Sequence, residues 1–121
     1  MSTITNLTPH AVNFFRDEDA ERGVLKEGRQ PFQTIPASGM VCRCAVNTAA
    51  CGNLGGIPVS RQSFGALENL PAPQVDTYYV VSAIAGAQAA RDGRTDVLTI
   101  AGAVRDGAGR IVGCTGLAFP A

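Results

Sequence analysis

Four arginines fall between residues 91 and 110, namely Arg91, Arg94, Arg105 and Arg110, with Asp92, Asp96 and Asp106 among them. A guanidinium presents a planar fork of donors that matches a carboxylate or a phosphate. The segment therefore has two readings. In one, the forks hold the phosphates of a nucleotide while Phe14, Tyr78 or Tyr79 stacks on its base. In the other, each arginine pairs with a neighbouring aspartate at a solvated edge, where such pairs are worth about 0–1 kcal/mol. Arginine supplies nine of the ten basic residues, Lys26 being the exception. A phosphate-binding surface needs that bias, and a GC-rich genome would also produce it.

His10 is the single histidine, so any Ser-His or Cys-His chemistry must use it. It follows Thr8-Pro9, which suits a turn or cap residue, and its spacing identifies no partner. Cys42 and Cys44 form a C-x-C inside a predicted strand, a poor bite for zinc, and Cys51 and Cys114 supply no second pair. The four thiols are expected to be free, in a reducing cytosolic compartment, with no metal and no cofactor. The sequence holds no G-x-S-x-G, H-E-x-x-H, P-loop or helix-opening G-x-G-x-x-G pattern. The expectation is a binding protein, not an enzyme.

The elements that must position these residues follow from pattern. Ile4 to Asn6 and Ala11 to Phe15 read as short strands around a Thr8-Pro9-His10 turn, forming a hairpin or tight corner. The mixed charges of residues 16 to 29 read as an exposed loop, and the small, Gly-rich stretch Asn47 to Gly56 as another. Alternation over Met40 to Val46 predicts a strand that puts Arg43 among apolar neighbours. Pro58 confines Ile57 to Val59 to a sheet edge or bulge, and Leu67 to Asp76 reads as a surface connector. Thr77 to Val81 is a strand of β-branched and aromatic residues. Ser82 caps a helix over about residues 82–92, stopped by Gly93. Val97 to Val104 and Arg110 to Leu117 form a C-terminal hairpin. The fold class is α+β, a small, mostly antiparallel sheet with one helix, in a single domain spanning residues 1–121.

Composition narrows the partners. Ten acidic residues balance ten basic ones, so no global field draws the chain to polymeric nucleic acid or an anionic membrane. No apolar run approaches the roughly 20 residues that span a bilayer. The N-terminus lacks the pattern of a signal peptide, and the expected location is the cytoplasm.

An ordered series of short motifs covers nearly the whole chain. It comprises Asn6-Leu7-Thr8-Pro9-His10, Ile35-Pro36-Ala37-Ser38-Gly39, Gly56-Ile57-Pro58-Val59, Leu70-Pro71-Ala72-Pro73, Tyr79-Val80-Val81-Ser82, Arg94-Thr95-Asp96, Val104-Arg105-Asp106 and Gly109-Arg110-Ile111-Val112-Gly113. The series resembles the phage Thoeris anti-defence proteins of the first described type, which act as sponges for nucleotide signals. The resemblance implies sequestration, without cleavage, of cyclic ADP-ribose isomers made by bacterial immune TIR enzymes. Some members also hold cyclic oligonucleotides. It further implies a homo-oligomer, a dimer or hexamer with ligand pockets between subunits, in the host cytoplasm if the chain is phage-encoded. Phe14, Arg91, Arg94, Thr95, Asp96, Arg105 and Arg110 are the candidate ligand-binding residues. The segment 16–29 is longer than the resemblance predicts. Two other classes stay open: a structural or protein-interaction module of a phage or prophage, and a small nucleotide-cleaving enzyme using His10.

Overall fold

A computed structural model describes residues 2–120. In chain order the strands are β1 (Thr3–Asn6), β2 (Val12–Phe14), β3 (Ala20–Glu21), β4 (Val24–Leu25), β5 (Gln33–Ile35), β6 (Arg43–Leu54), β7 (Ile57–Glu68), β8 (Thr77–Val80), β9 (Val97–Arg105) and β10 (Ile111–Ala118). The helix α1 (Ala83–Arg91) lies between β8 and β9. The main sheet runs β1-β8-β9-β10-β2-β5, while β6 and β7 form a separate ribbon.

β8 sits inside the sheet, and its period-two pattern serves both faces. Tyr79, together with Val81 just beyond the strand, packs with Leu7, Cys42, Val97 and the helical Ala85 and Ala89. Val80 points the other way, into a second core with Val12, Phe14, Leu98 and Cys114. The sheet curls until its edges meet. Asn6 of β1 donates through Nδ2 to the Ile35 carbonyl of β5 at 3.1 Å, and its own carbonyl accepts from Ser38 N at 3.0 Å.

The fold is α+β, dominated by strands, with one helix among the described residues and the C-terminal hairpin β9–β10. Most paired residues belong to the antiparallel ladders β6–β7 and β9–β10. Other pairings in the sheet are parallel, however, because β8 runs parallel to both β1 and β9, and β10 to β2. The helix is thus the crossover of a β8-α1-β9 unit. A single strand-helix-strand passage does not produce the repeated alternation by which such units are recognised in a sequence.

The helix begins where Ser82 accepts from Ala85 N at 3.3 Å through its hydroxyl. It ends in a left-handed glycine, with Gly93 at φ +85°. Gly93 N donates to Ala90 O at 3.1 Å and Arg94 N to Ala89 O at 2.9 Å. This paired closure satisfies the last carbonyls and sets the direction of the chain as it enters residues 94–96.

Two local expectations are corrected, and the choice left open at the Thr8-Pro9-His10 turn is resolved. Residues 47–56 are not a loop, since β6 and β7 continue through them to a two-residue turn at Gly55 and Gly56, with φ of +57° and +82°. Two consecutive positive-φ residues make a hairpin turn whose twist matches the strands, and a long ladder, with a register shift between Ala50 and Gly52, overrides the weak strand propensity of Ala and Gly. Segment 16–29 is not wholly an exposed loop. It holds a 3-10 turn at Asp17–Asp19 and the β3–β4 hairpin, and Asp19 is buried, accepting from Arg16 N at 3.0 Å and pairing with Arg29 at 3.2 Å. The Thr8-Pro9-His10 turn is a corner and not a hairpin, for β1 pairs with β8 while β2 pairs with β10 and β5.

Candidate functional site

The helix closure delivers Arg94 beside the first strand of the C-terminal hairpin. Its Nε donates to Asp96 Oδ1 at 2.9 Å and its Nη2 to Asp96 Oδ2 at 2.8 Å. Nη2 also donates to the Pro71 carbonyl at 2.8 Å, tying down the connector that follows β7. The side chains of the pair are only 19% and 13% exposed. Hydrogen bonding to Arg94 holds the Asp96 carboxyl below the usual carboxylate range, against the opposing effect of burial. The same contact raises the pKa of Arg94. Asp96 is placed by the sheet, since its carbonyl accepts from Tyr79 N at 2.9 Å.

Asp76, Thr77 and Tyr78 join Arg94, Thr95 and Asp96 in lining a cavity of about 270 Å³. It combines the two carboxylates of Asp76 and Asp96 with Arg94 and the edge of a half-buried tyrosine. Such a set can accept hydrogen bonds from sugar hydroxyls, donate to one anionic group and contact a ring. Tyr78 is steadied by an edge-to-face contact with Phe119, centroids 6.1 Å apart.

The remaining candidates lie elsewhere. Arg105 and Arg110 are at the far end of the nine-residue β9, about 26 Å from its start at the rise of an extended strand. There Arg110 Nε pairs with Asp106 at 3.1 Å and Arg105 Nη1 donates to Gly109 O at 2.9 Å. The backbone N–H of Arg110 is the main cause that lowers the Asp106 carboxyl. With the Arg110 side chain 82% exposed, this end matches the solvated-pair reading. Arg91, exposed on the last turn of α1, donates to Gln88 at 2.8 Å. One chain therefore does not bring the four arginines to one pocket.

Phe14 is corrected outright. It is 8% exposed, inside the second core, because its strand lies between β10 and β5 and turns the ring inward. It has no face free for a ligand. Tyr79, 3% exposed, is likewise core, whereas Tyr78 lines the cavity beside Arg94. The Pro71 carbonyl and Asp76 were not legible as site groups, since both lie in a connector whose sequence reads only as turns.

The other candidate chemistry is dispersed. Cys42, Cys44, Cys51 and Cys114 are free thiols, and no three His, Cys, Asp or Glu side chains among the described residues are grouped for a metal. No helix among them is long and apolar enough to cross a membrane. Compared with protein-family models, curated proteins and solved structures, the chain matches none. What the site can do is set by its own geometry.

Proposed function

We propose that this protein binds a cyclic nucleotide signal of the cyclic ADP-ribose type and sequesters it intact, as an anti-defence sponge. The observation that carries the reading is the joining of Arg94, Thr95, Asp96, Asp76 and Tyr78 around one cavity. Ribose hydroxyls would donate to the two carboxylates, a phosphate would take the free hydrogens of Arg94, and an adenine edge would meet Tyr78. At about 270 Å³, the cavity falls just below the roughly 300–1,000 Å³ of small-molecule pockets. A dinucleotide-sized ligand would stand partly in solvent, too exposed for the roughly −12 kcal/mol of nanomolar capture. Tight binding therefore requires a second copy of the chain to close the site, and the active species is a homo-oligomer.

The test is capture and release. The protein is incubated with a cyclic ADP-ribose isomer, freed of excess ligand, heat-denatured, and the supernatant is analysed by mass spectrometry. Intact ligand appearing only after denaturation is the expected result. Recovery of a linear hydrolysis product would make the chain an enzyme, and absence of binding heat in calorimetry would remove the proposal.

A second reading, a protein-interaction module, draws on the β6–β7 ribbon. Val46, Leu54, Ile57 and Phe64 are exposed along it at 41% to 70%. A two-stranded ribbon is marginal alone in water, so a protein surface that covers it would stabilise it. Stoichiometric capture of one protein, with no nucleotide bound, would favour this reading.

A further inference from the structure

A cavity larger and more apolar than the one between Arg94 and Tyr78 lies at the opposite end of β8. It measures about 570 Å³, inside the range of small-molecule pockets. Its walls include Val12, Val81, Ile100, Ile111 and Val112, and His10 stands among its lining residues. It shares no residue with the Arg94 cavity. It opens where β8 turns into α1, the carboxyl end of the parallel pair β1 and β8.

The corner that carries His10 is held from beneath. Asn6 is 1% exposed and spends its whole amide on this turn and its neighbour. Nδ2 donates to the His10 carbonyl at 2.8 Å and to Ile35 O at 3.1 Å, while Oδ1 accepts from Thr8 N at 2.9 Å and from the Thr8 hydroxyl at 2.6 Å. The backbone of His10 is thus fixed, while its imidazole makes no hydrogen bond to the described residues. With the backbone already fixed, only the two side-chain torsions of His10 remain to be ordered when a ligand meets its unspent ring nitrogens.

No Asp, Glu, Lys or Arg lines the cavity. A charged ligand would meet valine and isoleucine walls and the neutral polar groups of Thr8, Asn13, Ser82 and Thr99, with no carboxylate, ammonium or guanidinium to balance it, at a desolvation cost. We infer that this cavity is a second ligand site, taking an uncharged, mainly apolar small molecule with one hydrogen-bond acceptor that the His10 imidazole meets. The site stands independently of whatever occupies the Arg94 cavity.

The test uses coumarin, a neutral fused-ring carbonyl compound, and 1-methylquinolinium, a cation of similar shape, each titrated into the full-length protein and followed by amide chemical shifts. Coumarin should give saturable shifts at Val12, Val81 and Val112, with Gly93 to Asp96 unmoved, and the cation should give none. Ile111 is 52% exposed, so Ile111→Asp should leave the fold intact, as checked by thermal unfolding. That variant should weaken coumarin at least tenfold, and His10→Ala about threefold. The inference fails if coumarin gives no saturable shifts, if the shifts fall at residues 93–96, if the cation binds as well, or if Ile111→Asp binds within about twofold of wild type.

Discussion

Asp96→Asn keeps the shape of the side chain and removes its charge. Asp96 now accepts from Arg94 at 2.9 and 2.8 Å, in a pair whose side chains are 13% and 19% exposed. The amide retains one acceptor oxygen and turns an NH2 group toward the other guanidinium nitrogen. One charge-assisted hydrogen bond is lost, and Arg94 stays half-buried without its counter-charge. Such a bond contributes about 1.5–3 kcal/mol, and the remaining solvent access moderates the total, so the loss should be about 2 kcal/mol. For 121 residues this lowers Tm by roughly 8 °C.

The pH dependence has a definite sign. The folded pKa of Asp96 is depressed, so its stabilisation is present above the unfolded carboxylate value, near about 3.9, and is lost as pH falls through the lower folded value. The gap between wild type and variant should be complete at pH 7 and close in strong acid. Urea unfolding followed by circular dichroism at a series of pH values measures it. A gap below about 0.5 kcal/mol at pH 7, or one unchanged by acid, would refute the assignment of Arg94–Asp96 as the pair that holds this end of the sheet.

Two further outcomes test how α1 and the cores are packed. A Cβ at Gly86 would come within 2.5 Å of Thr99 Cγ2, so Gly86→Ala should destabilise by about 1 kcal/mol, the overpacking exceeding the gain in helix propensity. In a Thr99→Ser background, which lacks that methyl, the same change should stabilise; a stabilised single variant by urea titration would contradict this close approach. Cys42 and Cys114 are buried, and burial pushes both thiols up. A thiol reagent at pH 8 should therefore modify exposed Cys51 first and these two only on unfolding, and simultaneous reaction of all four would contradict the core assignment.

What the sequence determined by itself was local. Ser82 and Gly93 marked the helix because capping and left-handed closure are chemistry of a few adjacent residues. The turn at residues 106–109 and the β-branched and aromatic run at 77–81 were legible for the same reason. The Gly55-Gly56 turn carried an equally local hairpin signal, outweighed in reading by the small residues around it. The tertiary structure alone decided which strands became neighbours, making β8 parallel to β1 and β9 and α1 a crossover. That pairing turned Phe14 into core. It also divided the arginines, leaving Arg94 and Asp96 near Tyr78 while carrying Arg105 and Arg110 to the far end of β9. Residue types and spacing along a chain state what each group can bond. Whether two groups share a pocket depends on strand order and direction, which come from the burial of both sheet faces at once.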